Sequence, residues 1–496
     1  MKKNKIKVSV VGSGIGGLAI AVRLAVNGFD VKVFDSNNQP GGKAVDFSVD
    51  GFRFDKGPSL LTMPEKIDEL FYIAGKNPAD YISYSKMNEN CRYFFEDGNV
   101  IKGYANPQQF ANELYKKENV PKNKTLRFLR RNEFIFNSTN YLFLEKSLHK
   151  LKTYLSFRVI LSALKIPWLN LFSSMHTVNS NTFSNPKIVQ IFNRYATYNG
   201  SNPYQAPAVL NSITALEFKD GAFFADNGMS SIAKAIYKLA KEIGVKFYFS
   251  SEVDKIKVGN GKVEGIIVDN KVIASDIVVC NTDIHYVYNK LLSKEFNVRY
   301  RKNQERSSSA IIFYWGVNKI FNQLQIHNIL FSKDYKSEFD FIKEGKKIYS
   351  DPTIYINVTS KKIKSDAPKD SENWFVMINV PHDNSQEWDK IIKQTRIQII
   401  NKINRVLKTS VEDYITSESV VDPRSIETES HSFKGALYGT SSNTKKSAFF
   451  RHPNFSKDIK GLYFCGGSVH PGGGIPLVLS SAKIVEELIN SDCERK

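Results

Sequence analysis

Residues 7–35 read KVSVVGSGIGGLAIAVRLAVNGFDVKVFD, and this stretch constrains the chain more than any other. An apolar β-branched run, Val8 to Val11, leads into the turn Gly12-Ser13-Gly14-Ile15-Gly16-Gly17. A helical pattern follows, with Leu18, Val22 and Ala25 on one side, closed by Asn27-Gly28. A second apolar run, Val31 to Phe34, ends in Asp35. Strand, glycine turn, helix and strand in this order, with G-x-G-x-x-G at the turn, form a cradle for a dinucleotide. Gly12 permits the tight turn, Gly14 lets a pyrophosphate approach the backbone, and Gly17 lets helix and strand pack closely. The helix start presents free N–H groups and a partial positive charge to phosphate. Asp35 is placed to accept hydrogen bonds from an adenosine ribose. Its charge repels a 2′-phosphate, so FAD or NAD fits better than NADP.

The following residues choose between the two. Ser36-Asn37-Asn38-Gln39-Pro40 lead into Gly41-Gly42-Lys43, and Gly51 to Ser59 reads GFRFDKGPS, followed by Leu60. An acid, a short loop, a Gly-Gly pair, a basic residue and a D-x-G-P element resemble the flavin-binding N-terminus of the amine oxidase and phytoene desaturase superfamily. Gly41 and Gly42 let the backbone pass close to a cofactor. Lys43 is placed to neutralise phosphate or to sit near the flavin edge. Gly57-Pro58 makes a rigid turn suited to run under the isoalloxazine ring.

With 496 residues the chain can bury a large core and is expected to hold two or three structural units. Sixty-nine Lys and Arg against fifty Asp and Glu give a net charge of +19, which points to an anionic partner. No compact basic tract or RNA-binding motif is visible, so the expected partner is a membrane surface and not nucleic acid. Cys91, Cys280, Cys465 and Cys493 have neither metal nor redox spacing, and no metal site is expected. Lys2, Lys3, Lys5 and Lys7 before an apolar run imitate a signal peptide, but the glycine turn and Arg23 interrupt that run. No stretch reaches the ~20 apolar residues of a spanning helix. The expected location is peripheral, on the cytoplasmic face of a membrane.

Leu60 to Gly75 predicts a helix capped by Thr62. Arg92 to Phe95 and Val100 to Lys102 predict a hairpin turning at Asp97-Gly98. From Pro107 to Ser184 the pattern is helical. There Leu126, Phe128, Leu129, Phe134, Ile135 and Phe136 alternate with Lys124, Arg127, Arg130 and Arg131. Leu151 to Phe172 is apolar with Lys152, Arg158, Lys165 and Trp168, a composition that suits a membrane interface and equally a buried helical pair. Ile191 to Ala208 reads as a helix end and an irregular polar–aromatic loop able to line a pocket. A helix is expected over Ser230 to Gly244. Strands are expected over Val245 to Phe249, Val253 to Val258, Val263 to Val268, Val272 to Ile273 and Asp276 to Cys280. The last of these, continuing into Asn281-Thr282, resembles the superfamily strand that ends beside the cofactor. Ala310 to Val317, Thr353 to Val358 and Trp374 to Val380 predict an antiparallel sheet carrying a helix, Trp388 to Leu407.

The second strong motif is GLYFCGGSVHPGGGIPLVLSSAK, Gly461 to Lys483. A strand runs into Gly466-Gly467, and a loop with His470, Gly474, Ile475 and Pro476 opens a helix whose N–H groups can face a flavin or its phosphates. With the N-terminal motifs, this stretch resembles bacterial phytoene desaturase-type carotenoid desaturases and isomerases over essentially the whole chain. GPSLLTMP (Gly57 to Pro64) and RYATYNGSNPYQAPA (Arg194 to Ala208) look most like the 1-hydroxycarotenoid 3,4-desaturase branch.

The resemblance implies an α/β (overall α+β) protein. A Rossmann-like FAD domain (1–90, 223–299, 445–496) would be interleaved with a β-sheet substrate domain (91–106, 205–222, 300–444) and a helical membrane-facing region (107–204). It implies FAD-dependent removal of two hydrogens from a long apolar carotenoid by hydride transfer to flavin, with a quinone or oxygen taking the electrons. Implied cofactor contacts are Gly12, Ser13, Gly14, Ile15, Gly16, Gly17, Asp35, Ser36, Gly42, Lys43, Gly57, Pro58, Ser59, Leu60, Val253, Asn281, Gly466, Gly467, Gly474, Ile475 and Pro476. No triad or metal cluster is found, and no catalytic acid or base is assigned. Arg194, Tyr198 and His470 are candidates for pocket positions. Phytoene and diapophytoene desaturases, flavin amine oxidases and a flavin-free lipid-binding escort relative remain open alternatives.

Overall fold

The computed structural model describes residues 5–155, 159, 169–293 and 304–494. Strand Lys7–Val11 lies at the centre of a five-stranded sheet. Asp30–Phe34 and then Lys246–Tyr248 pair on one side, Ile277–Cys280 and then Leu462–Phe464 on the other, every pair parallel. Side chains alternate across a strand, so each strand serves two cores. Val8, Val10, Val31, Val33, Ile277 and Val279 pack with the helices Ile15–Val26, Ser230–Glu242 and Ile475–Glu494. Val11, Phe34, Val278, Cys280, Leu462 and Phe464 pack with a three-stranded antiparallel sheet, Val253–Gly259, Lys262–Val268 and Lys271–Ala274. A sheet covered on both faces explains the near-continuous apolar runs.

A second sheet has seven strands in the order Ile415–Val421, Ser309–Val317, Glu372–Val380, Ile354–Asn357, His327–Leu330, Glu89–Phe94, Val100–Tyr104. The antiparallel sheet expected from Ala310 to Val317, Thr353 to Val358 and Trp374 to Val380 is present, with every pairing among its strands after residue 300 antiparallel. His327–Leu330 pairs in parallel with Glu89–Phe94, which brings the early hairpin into the sheet. Along Ser309–Val317, Ile311, Phe313 and Trp315 meet helix Trp388–Leu407, while Ile312 and Tyr314 face an internal cavity.

Helices Pro107–Glu118, Lys122–Glu145, Met175–Thr182 and Pro186–Asn193 surround an aromatic core of Phe110, Phe128, Phe183 and Phe192. Phe128, Leu129, Ile135 and Phe136 are buried, whereas Phe134 is exposed among Lys124, Arg127, Arg130 and Arg131. Most of the basic apolar stretch expected at a membrane, including Arg158, Lys165 and Trp168, lies outside the described residues. No helix among the described residues is long and apolar enough to cross a membrane. The helix predicted from Leu60 starts later, at Glu65, with Pro64 and not Thr62 at its N-cap. Leu61 forms a bridge to Phe223 and Met63 has φ of 53°, so residues before Pro64 stay non-helical and Thr62 lines the cavity.

Candidate active site

One cavity of about 880 Å³, at the upper end of the range for small-molecule pockets, is lined by residues of both large sheets. One part of it is bounded by the two glycine loops. Gly12 adopts φ of 95°, which turns the chain from strand to helix. A Cβ on Gly17 would lie 1.9 Å from Gly12 O, so glycine there permits the contact between helix and strand. Ser13 is fully buried, and both its N–H and its hydroxyl donate to Asp35 Oδ2 at 2.6 Å. The other carboxylate oxygen of Asp35 accepts from Asn37 N at 2.8 Å and from its Nδ2 at 3.0 Å. The acid is thereby fixed at the cavity wall. Asn281 ties the two ends of the sequence together. Its Nδ2 donates to Cys465 O at 3.1 Å, and a Cβ on Gly14, Gly16 or Gly466 would come within 2.9 Å of its side chain.

Of the residues implied as cofactor contacts, all but Ser13 and Gly17 line the cavity. Those two act from behind it, one holding Asp35 and the other packing on Gly12. Helix Ile15–Val26 has no side-chain cap and no acid in its first turn, so its leading N–H groups are free for a ligand. Helix Ile475–Glu494 also starts at the cavity without an acid in its first turn.

Two cations line the same space, and neither makes an ion pair among the described residues. Lys43 is open toward the cavity and enclosed by protein elsewhere, and its Nζ donates to Leu437 O at 3.1 Å. Burial pushes its pKa down to about 8 against the opposing charge of Asp283. Arg451 donates to Tyr438 O at 2.9 Å and Ser442 Oγ at 3.2 Å, and burial pushes it down to about 10. Sequence reasoning gave no signal for Arg451, which lies outside every motif.

The remaining wall is apolar and aromatic, with one polar cluster. Ile312, Ile329, Phe375 and Met377 come from the seven-stranded sheet, and Phe136, Phe143 and Leu144 from helix Lys122–Glu145. Arg194 and Tyr198, expected at the pocket, do line it. Arg194 Nη2 donates to Tyr93 Oη at 3.1 Å and lies 3.6 Å from Glu217 Oε1. Tyr195 Oη donates to Glu217 Oε2 at 2.7 Å, and Tyr198 donates to the other carboxylate oxygen. Burial works to lower the Arg194 pKa, but Tyr93, Tyr198 and Glu217 outweigh it and hold the guanidinium above its ordinary value. Burial raises the Tyr195 and Tyr198 hydroxyls, and Glu217 adds to the rise. His470 also borders the cavity, yet its Nε2–H donates to Lys146 O at 3.0 Å. Burial keeps that ring neutral by pushing its pKa down to about 4.

A parallel nucleotide-type sheet, an uncapped helix start, two cations without an ion pair among the described residues and an adjoining apolar chamber fit a dinucleotide cofactor with an apolar substrate space beside it. The profile of the family described as flavin containing amine oxidoreductase matches residues 15–485, and the chain belongs to that family. Its cofactor is FAD, and the anion-seeking half of the cavity fits that group. Over 483 residues the chain is 46% identical to a 1-hydroxycarotenoid 3,4-desaturase of Flavobacterium sp. (strain P99-3), covering 97% of this chain and 99% of the relative. It is 33% identical to a 4,4′-diapolycopene oxygenase of Methylomonas sp., covering 98% and 99%. Among solved structures, an oxidoreductase from Methanosarcina mazei aligns with a TM-score of 0.64 at 16% identity, covering 97% of this chain and all of the other.

Proposed function

We propose that this chain is a carotenoid desaturase that removes two hydrogens from the C3–C4 bond of an acyclic end group carrying a hydroxyl on C1. The observation that carries this reading is the continuity of the cavity, from the glycine loops through an apolar chamber to a buried polar cluster. The full-length relative of 46% identity supports the substrate class. Gly12, Gly14, Gly16, Gly466 and Gly474 would let FAD approach the backbone. Asp35 would accept from its ribose, and Lys43 and Arg451 would neutralise its charge. FAD, when bound, would take one hydrogen with its electron pair, and the second hydrogen leaves the carbon chain as a proton, which completes the double bond. The residues of the chamber supply orientation and a dry path. Ile312, Ile329, Phe375 and Met377 exclude water from a polyene and offer no competing hydrogen bond. Reoxidation requires an acceptor such as a membrane quinone or oxygen. The test compares a 1-hydroxylated acyclic carotenoid, the same carotenoid without the hydroxyl, and phytoene. Turnover of the first well above the other two is expected. Efficient conversion of phytoene alone would move the protein to the phytoene desaturase branch.

Lys43 gives cofactor binding a pH dependence. Its pKa of about 8 in the free protein means that the ammonium is lost as pH rises through 8. Binding an anion restores the charge and so takes up a proton, and affinity falls with rising pH above that point. FAD titrations between about pH 7 and 9.5 should show this fall in the native chain, and Lys43→Met should flatten it.

Membrane attachment is proposed from the surface beside the helical region. Phe172 and Leu155 are 89% and 78% exposed, Phe450 is 49% exposed, and Lys445 Nζ lies 3.8 Å from the Phe172 ring centroid. Apolar rings edged by cations suit an anionic lipid surface. Sedimentation with anionic liposomes and partial release at high salt are expected. Indifference to lipid charge and salt would overturn this part.

A further inference from the structure

The polar end of the chamber contains hydrogen-bonding atoms without a partner among the described residues. Arg194 Nε, His327 Nε2, Asn90 Oδ1 and Asn199 Oδ1 are all buried without a partner among the described residues. All four residues line the cavity. Leaving such atoms unpaired is costly, and a ligand that completes them is selected over one that does not.

His327 is the most constrained of the four. Asn357 Nδ2 donates to Ile326 O at 2.9 Å, which sets the orientation of that amide. The same nitrogen lies 3.1 Å from His327 Nδ1, so Nδ1 must accept. Tyr355 Oη, 2.7 Å from Nδ1, then directs its hydrogen at the same single lone pair, which the two donors share, and Ser59 Oγ lies 2.7 Å from Tyr355 Oη. Burial, with the nearby Arg194 charge adding to it, pushes the His327 pKa down to about 3, so the ring is neutral. A neutral imidazole that accepts at Nδ1 carries its hydrogen on Nε2. His327 therefore holds an N–H donor, 97% buried by residue exposure of 3%, at the cavity wall.

The position matters as much as the tautomer. In a 1-hydroxylated end group the oxygen is three bonds from C3, so a group that binds it must lie close to the reacting bond. Ser59 belongs to Gly57–Leu60, the segment lining the cavity beside Lys43, and His327 is joined to Ser59 through a single tyrosine hydroxyl. We propose that His327 is a specificity-determining residue whose Nε2–H donates to the hydroxyl oxygen on C1 of the substrate, with Arg194 Nε–H as the second donor at that end of the chamber. This rests on the reading of the chain as a hydroxycarotenoid desaturase.

The test measures kcat/KM for the 1-hydroxylated carotenoid and for its counterpart without the hydroxyl, using FAD-loaded native protein, His327→Leu, His327→Gln and Tyr355→Phe. FAD content and the thermal midpoint report whether each variant folds. His327→Leu should lower kcat/KM on the hydroxylated substrate roughly 10- to 100-fold, with little change on the other, so the preference collapses. His327→Gln keeps a donor at the same reach and should retain most of the preference. Tyr355→Phe leaves Asn357 donating to Nδ1 and should keep it too. An undiminished preference in His327→Leu overturns the inference while leaving the proposed activity intact. Should His327→Leu fail to load FAD, His327→Phe, which also lacks the donor, decides: a collapsed preference supports the donor role and an undiminished one overturns it. A native enzyme indifferent to the hydroxyl defeats the proposed substrate itself, a different outcome from either.

Discussion

Gly14→Val should yield a folded protein that no longer binds FAD. Gly14 is the N-cap of helix Ile15–Val26 with φ of −62° and ψ of 173°, angles that valine adopts without strain. A Cβ there meets one atom within 4 Å, Asn281 Oδ1 at 2.9 Å, the end of a side chain that can shift. The rest of the valine would project into the cavity beside the free N–H groups of the helix start. It would fill the space that a pyrophosphate needs, and an affinity loss of at least about 100-fold is expected. Gly17→Ala makes the informative contrast. Its Cβ would stand 1.9 Å from Gly12 O and 3.0 Å from Gly12 C, which are backbone atoms of the turn itself. Nothing flexible can give way, so this smaller substitution should destabilise the fold by about 3 kcal/mol or more. FAD titration of the apoprotein and its thermal midpoint separate the two. A small fall in midpoint without binding is expected for Gly14→Val, because the Asn281 side chain that bonds Cys465 O must shift, and a large fall for Gly17→Ala. FAD binding retained in Gly14→Val would mean that the phosphates do not pass this turn.

The contrast also indicates which parts of the site were legible in the sequence. A turn that needs φ of 95° at Gly12, or contact without a Cβ at Gly17, leaves a local mark, because only one residue type meets the requirement. The two glycine loops and Asp35 were therefore readable within short windows. Asn281 was readable only through its strand, although its side chain links both loops. His327, Tyr355 and Glu217 were not readable at all. His327 and Tyr355 come together because Ile354–Asn357 pairs with His327–Leu330, and they approach the Arg194 cluster because His327–Leu330 also pairs with Glu89–Phe94. Those pairings depend on sheet register across distant segments, which residue pattern does not specify. Glu217 sits in a single irregular turn, Leu216–Asp220, with no periodicity to mark it.

Glu217→Leu should destabilise the protein by about 3–5 kcal/mol, because it leaves a buried charge without its counterion. Arg194 is 8% exposed and Glu217 2% exposed, and no other acid lies within ion-pair distance of Arg194 among the described residues. The loss has three parts. The Arg194 charge loses its partner, Tyr195 and Tyr198 lose the acceptor of their hydroxyl hydrogens, and Asn90 Nδ2 loses its contact at 3.4 Å. The three tyrosine rings around Arg194, at 4.6–5.5 Å from its guanidinium carbon, recover a part through their faces. The deficit should not change as pH rises from about 7 to 9. Arg194 has a folded pKa raised above its ordinary value, so the stability it contributes is fully present below the unfolded pKa and is lost only as pH rises beyond it. Denaturant unfolding of the FAD-loaded proteins at several pH values measures both statements. Combining Glu217→Leu with Arg194→Met removes the orphaned charge together with its counterion. The double variant should therefore be more stable than Glu217→Leu alone, which separates a charge left unpaired from a cavity left unfilled. A Glu217→Leu loss under about 1 kcal/mol would mean that water already reaches Arg194, and the chamber would then be wet at the end proposed to grip the substrate hydroxyl.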